Sequence, residues 1–267
     1  EELKEHFSDI VYTCFSKNKE LTIAILFEHK SYPETCPYLQ LLRYLLKIWE
    51  TNMKQAERLM PVIPVILYHG KEVWKVRRFS GYFEGIDETF CRFIPEFEYL
   101  LTDLSKYSDE EIKAKVFNKA SLEIALLIMR NIFNERELER NLKDFFEIGR
   151  QYFEEEEGLK FLESVIRYLY SSTEIEVDKV VNTIKEISGR GGELVMTTAM
   201  KLIEKGKIEG KIEGLKEAIE LGLELKYGVE GLKLLERINK ISLVEKLETI
   251  KEAVKIAKSM EEIERLL

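Results

Sequence analysis

Two apolar runs separated by five polar residues place the tightest constraint on what this chain can fold into. Residues 8–15, Ser-Asp-Ile-Val-Tyr-Thr-Cys-Phe, and residues 21–28, Leu-Thr-Ile-Ala-Ile-Leu-Phe-Glu, are rich in β-branched and aromatic side chains, which suit a pleated, half-buried strand. Between them Ser16-Lys17-Asn18-Lys19-Glu20 reads as a polar turn. Antiparallel pairing about Asn18-Lys19 sets residues whose numbers sum to 37 opposite one another. Asp9 then faces Glu28 with Cβ atoms roughly 4.5–5.5 Å apart, and Lys30 shares their face because side chains alternate with a period of two. A slip of one residue would scatter the trio.

Two carboxylates and a lysine at one strand end form an oxygen-rich site for a hard divalent cation such as Mg²⁺. The cation would lower the pKa of a bound water and polarise a phosphoryl group, and the lysine would offset charge on the phosphorus. The bland reading is that Glu28 and Lys30 decorate the solvent end of a buried strand. An Asp opposite, at the end of a continuous apolar run, tips the balance toward chemistry. His29 alternates to the other face and reads as a packing residue.

A helix opens near Pro37, which is tolerated in a first turn, and runs to about Lys54. Leu42, Leu45, Leu46, Trp49 and Met53 recur at helical spacing and are expected to face the sheet. Gln40, Tyr44 and Lys47 form a stripe on another face. Pro61 to Gly70 is a short apolar run of strand length ending in a turn residue. The resulting order is strand, strand, helix, strand.

Asp9, Glu28-His29-Lys30 and Gln40-Leu-Leu-Arg-Tyr44 resemble the PD-(D/E)XK nuclease superfamily, in the branch with a Gln-x-x-x-Tyr helix. From Ser8 to Tyr82 the segments Asp-Ile-Val-Tyr, Phe-Glu-His-Lys-Ser, Ile-Trp-Glu and Val-Ile-Pro-Val-Ile-Leu-Tyr-His-Gly-Lys are similar to the Rpn family of recombination-promoting nucleases, also known as YhgA-like transposases. The resemblance implies an α/β (α+β) restriction-endonuclease-like core, a mixed sheet flanked by helices, followed by an all-helical C-terminal region. It implies Asp9 and Glu28 as metal ligands, Lys30 beside the attacking water, and Gln40 and Tyr44 positioning a phosphate, with Tyr68 and His69 near that site. The implied activity is metal-dependent DNA endonuclease chemistry serving recombination, transposition or defence, with Mg²⁺ or another divalent cation as cofactor and DNA as partner. A catalytically weak DNA- or partner-binding protein that keeps the nuclease fold is the alternative, and a helical scaffold a third. The family places a helical segment before the site hairpin, whereas this chain starts at Glu1 and enters the hairpin almost at once, so it reads as an N-terminally truncated piece.

The net charge of −8 disfavours a nucleic-acid partner until it is divided along the chain. Residues 1–95 hold 13 Lys and Arg against 13 Asp and Glu, leaving 28 and 36 to the remainder. In the neutral part Lys71, Lys75, Arg77 and Arg78 form a candidate phosphate-binding patch; a solvated loop is the alternative. No apolar run approaches the ~18 residues of a membrane helix. Cys14, Cys36 and Cys91 lack metal-ligand spacing and read as reduced thiols, which favours a cytoplasmic protein.

Four regions are expected: a core over 1–95, a helical extension packing on it over 96–190, a long glycine-containing helix or tether over 191–226, and a small helical unit over 227–267. Ser108-Asp-Glu-Glu is a capping-type helix start, and further helices are expected over 134–152, 155–171 and 173–188. Ser188-Gly-Arg-Gly-Gly192 reads as a linker or turn. Gly206, Gly210 and Gly214 recur every four residues, each costing a helix ~1 kcal/mol relative to alanine, so either a homodimer contact between close helices compensates or the stretch is a tether. Leu232, Leu235, Ile238, Ile241, Leu247, Ile250, Val254, Ile256, Ile263 and Leu266 are the expected core of the last unit.

Overall fold

The structure, a computed structural model, describes residues 10–16, 19–27, 33–59, 61–115 and 119–267, the first two spans as backbone. The chain divides into two compact units, residues 1–188 and 189–267.

The first unit is built on a four-stranded sheet in the order β1 (Ile10–Ser16), β2 (Lys19–Phe27), β3 (Val62–Tyr68), β4 (Leu100–Asp103). β1 and β2 are antiparallel, whereas β2–β3 and β3–β4 are parallel. Helix α1 (Pro37–Lys54) makes the crossover that a parallel β2–β3 pair requires, so the strand, strand, helix, strand order holds. Proline in an inner strand removes a ladder donor, but Pro64 pairs only with Ala24, because pairing with β4 begins one residue later at Val65.

Three expectations are corrected. The β1–β2 ladder pairs residues whose numbers sum to 35, not 37: Ile10 with Ile25 and Ser16 with Lys19. Two residues separate the paired strand ends, the loop length that best matches strand twist. The buried residues of α1 are Pro37, Tyr38, Leu41, Leu45 and Asn52, while Leu46 and Met53 are exposed. Apolar residues occupy much of the helix circumference, and Tyr38 decides the face: its ring stacks on Phe79 at 5.0 Å and meets Tyr99 edge-on at 5.3 Å. Third, the sheet does not finish before residue 95, since β4 lies beyond it.

Past β4 the unit is helical: α2 (Asp109–Lys115), α3 (Ala120–Asn131), α4 (Glu135–Glu147), α5 (Glu156–Ser172) and α6 (Val177–Ile187). The N-terminus of α2 is a reciprocal capping box. The Glu111 amide donates to Ser108 Oγ at 3.1 Å and the Ser108 amide to Glu111 Oε2 at 2.8 Å, satisfying two donors that the helix cannot. Ile112, Ile124, Leu127, Ile128 and Ile132 recur at helical spacing and are buried.

The second unit opens directly on α7 (Gly189–Leu232), a helix interrupted at Gly228, whose φ of 60° only glycine adopts freely. Gly189 to Gly192 therefore belong to a helix rather than a linker, and the tether reading of 191–226 gives way to a helix. Leu215, Ile219 and Leu223 of α7 pack with Ile238 of α8 (Leu235–Ile238), Leu247, Ile250 and Val254 of α9 (Val244–Ile256) and Ile263 of α10 (Met260–Glu264). Ile256, expected in this core, is exposed, because α9 turns Leu247, Ile250 and Val254 inward instead. Among the described residues no helix is long and apolar enough to cross a membrane.

Candidate functional site

In an open sheet with parallel strands, ligands bind beyond the strands' carboxyl ends. Here that edge is formed where β2, β3 and β4 finish. Phe27 lies beside Leu67, and Tyr68 beside Asp103. The chain leaves β2 at Phe27 and the next three residues in sequence are Glu28, His29 and Lys30. Those three and Asp9 lie outside the described residues. The direct opposition expected of Asp9 and Glu28 rested on the sum-37 register, which the described ladder does not have.

Gln40 and Tyr44 sit one turn apart on the N-terminal half of α1. Both are half-buried, and Tyr44 packs against the cluster of Tyr38, Leu41, Ile66, Tyr68, Trp74, Phe79 and Tyr99. Packing restricts the rotamers of the Tyr44 ring, while Lys47 is exposed.

At the end of β3, Tyr68 is fully buried. Its hydroxyl donates back to the Glu72 carbonyl at 2.8 Å, and its ring meets Trp74 edge-on at 5.0 Å. The ring passes so close to Gly70 that a Cβ there would stand 2.2 Å from the phenolic oxygen, which explains the glycine. Burial, followed by the nearby Asp103 carboxylate, pushes the Tyr68 phenol above its ordinary pKa of 10.0. His69 is buried and stacks on Phe133 at 5.6 Å, tying the residues after α3 to the sheet edge.

Sequence reasoning missed Asp103. It is buried at the end of β4, where Oδ1 accepts from the Ser105 amide at 3.1 Å and hydroxyl at 2.7 Å, and Lys106 approaches at 3.8 Å. The signal was present, since Leu-Leu-Thr-Asp103 repeats the pattern of an apolar run ending in an acid seen at Phe27-Glu28. Its partners make it a cap for the following turn. Among the described residues no group of three or more His, Cys, Asp or Glu side chains could hold a metal ion.

The four basic residues are all exposed, but two are held over rings. The Arg77 guanidinium lies 3.7 Å from the centre of Tyr82 and its carbonyl accepts from Tyr38 at 3.0 Å. Lys71 Nζ lies 5.5 Å from the centre of Phe133. Cation–π contacts of this kind fix where the charge is presented. Arg78 stands near Glu96, whose carboxyl is held below the usual range first by Ser80 and, more weakly, by Arg78.

No solved structure matches the chain. The model of one family matches residues 1–160, which span β1 to β4, the candidate site residues and the first helices. The chain thus belongs to the family described as "Putative transposase, YhgA-like".

Proposed function

We propose that this protein is a metal-dependent DNA endonuclease whose site gathers at the carboxyl edge of β2. The observation that carries the reading is topological. β2 has an antiparallel neighbour on one side and a parallel one on the other, runs to Phe27, which precedes Glu28 in sequence, and is followed by a helix bearing Gln40 and Tyr44. The ladder is shifted by two residues from the expected register, and a shift of two, unlike a shift of one, keeps the alternation of faces between strands. Continued over Asp9 and over residues 28–30, the same alternation would put Asp9, Glu28 and Lys30 on one face.

The donor set suits a hard cation, since both ligand candidates are carboxylates, and Mg²⁺ so held would activate water and neutralise phosphate charge. Glu28 and Asp9 must be ionised to serve as ligands. Lys30 supplies a positive charge where negative charge accumulates on the phosphorus. The Gln40 amide and the Tyr44 hydroxyl donate hydrogen bonds that orient a phosphate. Exposed Lys75 and Arg78 add sequence-independent attraction to the DNA backbone.

Plasmid nicking by the full chain with and without Mg²⁺ tests this reading. Cleavage is expected only with the metal, and Glu28→Gln or Asp9→Asn should abolish it while leaving the circular dichroism spectrum unchanged. Wild-type cleavage rates in either variant would show the assignment to be wrong.

A further inference from the structure

The connection from β3 to β4 is held down by some of its large rings and presents others to solvent. Trp74, Phe79 and Tyr99 are buried in the cluster around Tyr38, and Tyr82, Ile94 and Phe97 pack against it. The Trp74 indole donates to the Tyr99 hydroxyl at 3.0 Å. A short 3-10 helix (Glu88–Phe93) is capped by Asp87, whose Oδ1 accepts from the Thr89 amide at 2.9 Å and hydroxyl at 2.6 Å. On this anchored backbone Phe83 is 44% exposed, Phe90 57% and Phe93 71%. Single surface apolar residues are ordinary, but three exposed phenylalanines within residues 83–93 mark a contact site. Charge points to what covers them. The Arg77 guanidinium lies 3.7 Å from the centre of Tyr82 and that of Arg92 4.9 Å from the centre of Phe93. Residues 71–83 hold four cations against a single carboxylate, Glu72. The Asp87 carboxylate is engaged by Thr89 and that of Glu96 by the Ser80 amide at 2.8 Å, whereas Glu84 and Glu88 are exposed and keep the positive charge modest.

We infer that this connection binds single-stranded DNA, with bases stacked on Phe83, Phe90 and Phe93 and phosphates met by Arg77, Arg78 and Arg92. A duplex offers phosphates, but each base face is covered by the next pair, so exposed rings gain nothing from it. A single strand offers both phosphates and free base faces, and stacking on aromatic side chains tolerates any sequence. An arginine that already lies on a ring stacks a base on its outer side, which suits Arg77 over Tyr82. With so modest a charge, the rings rather than the cations carry the affinity. The same cluster fixes these rings to α1. Tyr38 of α1 donates to the Arg77 carbonyl at 3.0 Å, and Tyr44 packs on the cluster that Tyr82 borders. The connection thus supplies the substrate form for the proposed nuclease, and only that role rests on the endonuclease reading.

Fluorescence anisotropy of the full chain tests the inference, with a labelled, unstructured mixed-sequence oligonucleotide and the same strand in duplex. Both are titrated in EDTA, so that binding is read without cutting. The single strand is expected to bind about tenfold or more tightly than the duplex at equal salt. The triple variant Phe83→Leu/Phe90→Leu/Phe93→Leu keeps apolar bulk and removes the rings. It should weaken single-strand binding about twentyfold or more, leave duplex binding within about twofold of the parent, and leave the circular dichroism spectrum unchanged. The same three positions changed to tyrosine should hold single-strand affinity within about threefold of the parent. Single-strand binding of this kind without Mg²⁺-dependent nicking upholds the inference and counts against the endonuclease reading alone. Equal or tighter binding of the duplex overturns the inference. A leucine variant that binds the single strand as the parent does assigns the rings to an apolar protein contact and also overturns it.

Discussion

Gly70 and Tyr68 show how tightly the end of β3 is made. The phenol folds back over Gly70 to reach the Glu72 carbonyl, so Gly70→Ala drives a methyl group into a buried ring. Overpacking of this kind costs roughly 1–3 kcal/mol, expected as a lower urea midpoint with little change in its slope. Tyr38 offers a pH test of the same cluster. Burial first, then Tyr99 and Glu96, pushes its phenol up from 10.0 to about 12. A raised folded-state pKa favours the protonated form in the native state, so this stabilisation is whole below pH 10 and is lost as pH climbs toward 12. Urea midpoints measured from pH 9 to 12 should fall, and less steeply in Tyr38→Phe. At the candidate site, Lys30→Ala should lower turnover more than DNA affinity, as expected of a group acting chiefly in the transition state. Equal losses in both would mark it as a phosphate anchor.

Elements were legible where the controlling interactions are local. The Ser108–Glu111 capping box was visible as a four-residue pattern because both partners lie within one turn of each other. Ser108→Ala should cost about 1 kcal/mol of stability by denaturant titration. The faces of helices were less legible. α1 and α9 carry apolar residues around much of their circumference, and periodicity alone put Met53 and Ile256 inside, where the structure leaves them exposed. A pair of truncations separates the two readings of α9. Ile250→Ala should cost about 2–5 kcal/mol in the second unit, whereas Ile256→Ala should fall within about 0.5 kcal/mol of the parent. β4 was missed because four residues give too little alternation to identify a strand, and only pairing with β3 defines it.

At the scale of the molecule, charge is divided unevenly: residues 1–95 are neutral and the rest carry the net −8. DNA affinity should therefore be modest and fall with salt, and Lys75→Ala or Arg78→Ala should each reduce the slope of log K against log salt by about one. A slope unchanged in both would place the phosphate contacts elsewhere. The sequence by itself determined the order of elements from β1 through β3, the helix start near Pro37 and the capping box. Those follow from turn chemistry, strand and helix period, and side-chain shape, all of which act within a few residues. Tertiary structure alone decided the two-residue shift of the β1–β2 ladder, the rotation of α1 onto the Phe79 and Tyr99 rings, the burial of Asp103, and the run of α7 through its glycines with Leu215, Ile219 and Leu223 turned into the core. Each of these depends on which distant groups compete for the same contact, and that competition is resolved only when the chain closes on itself.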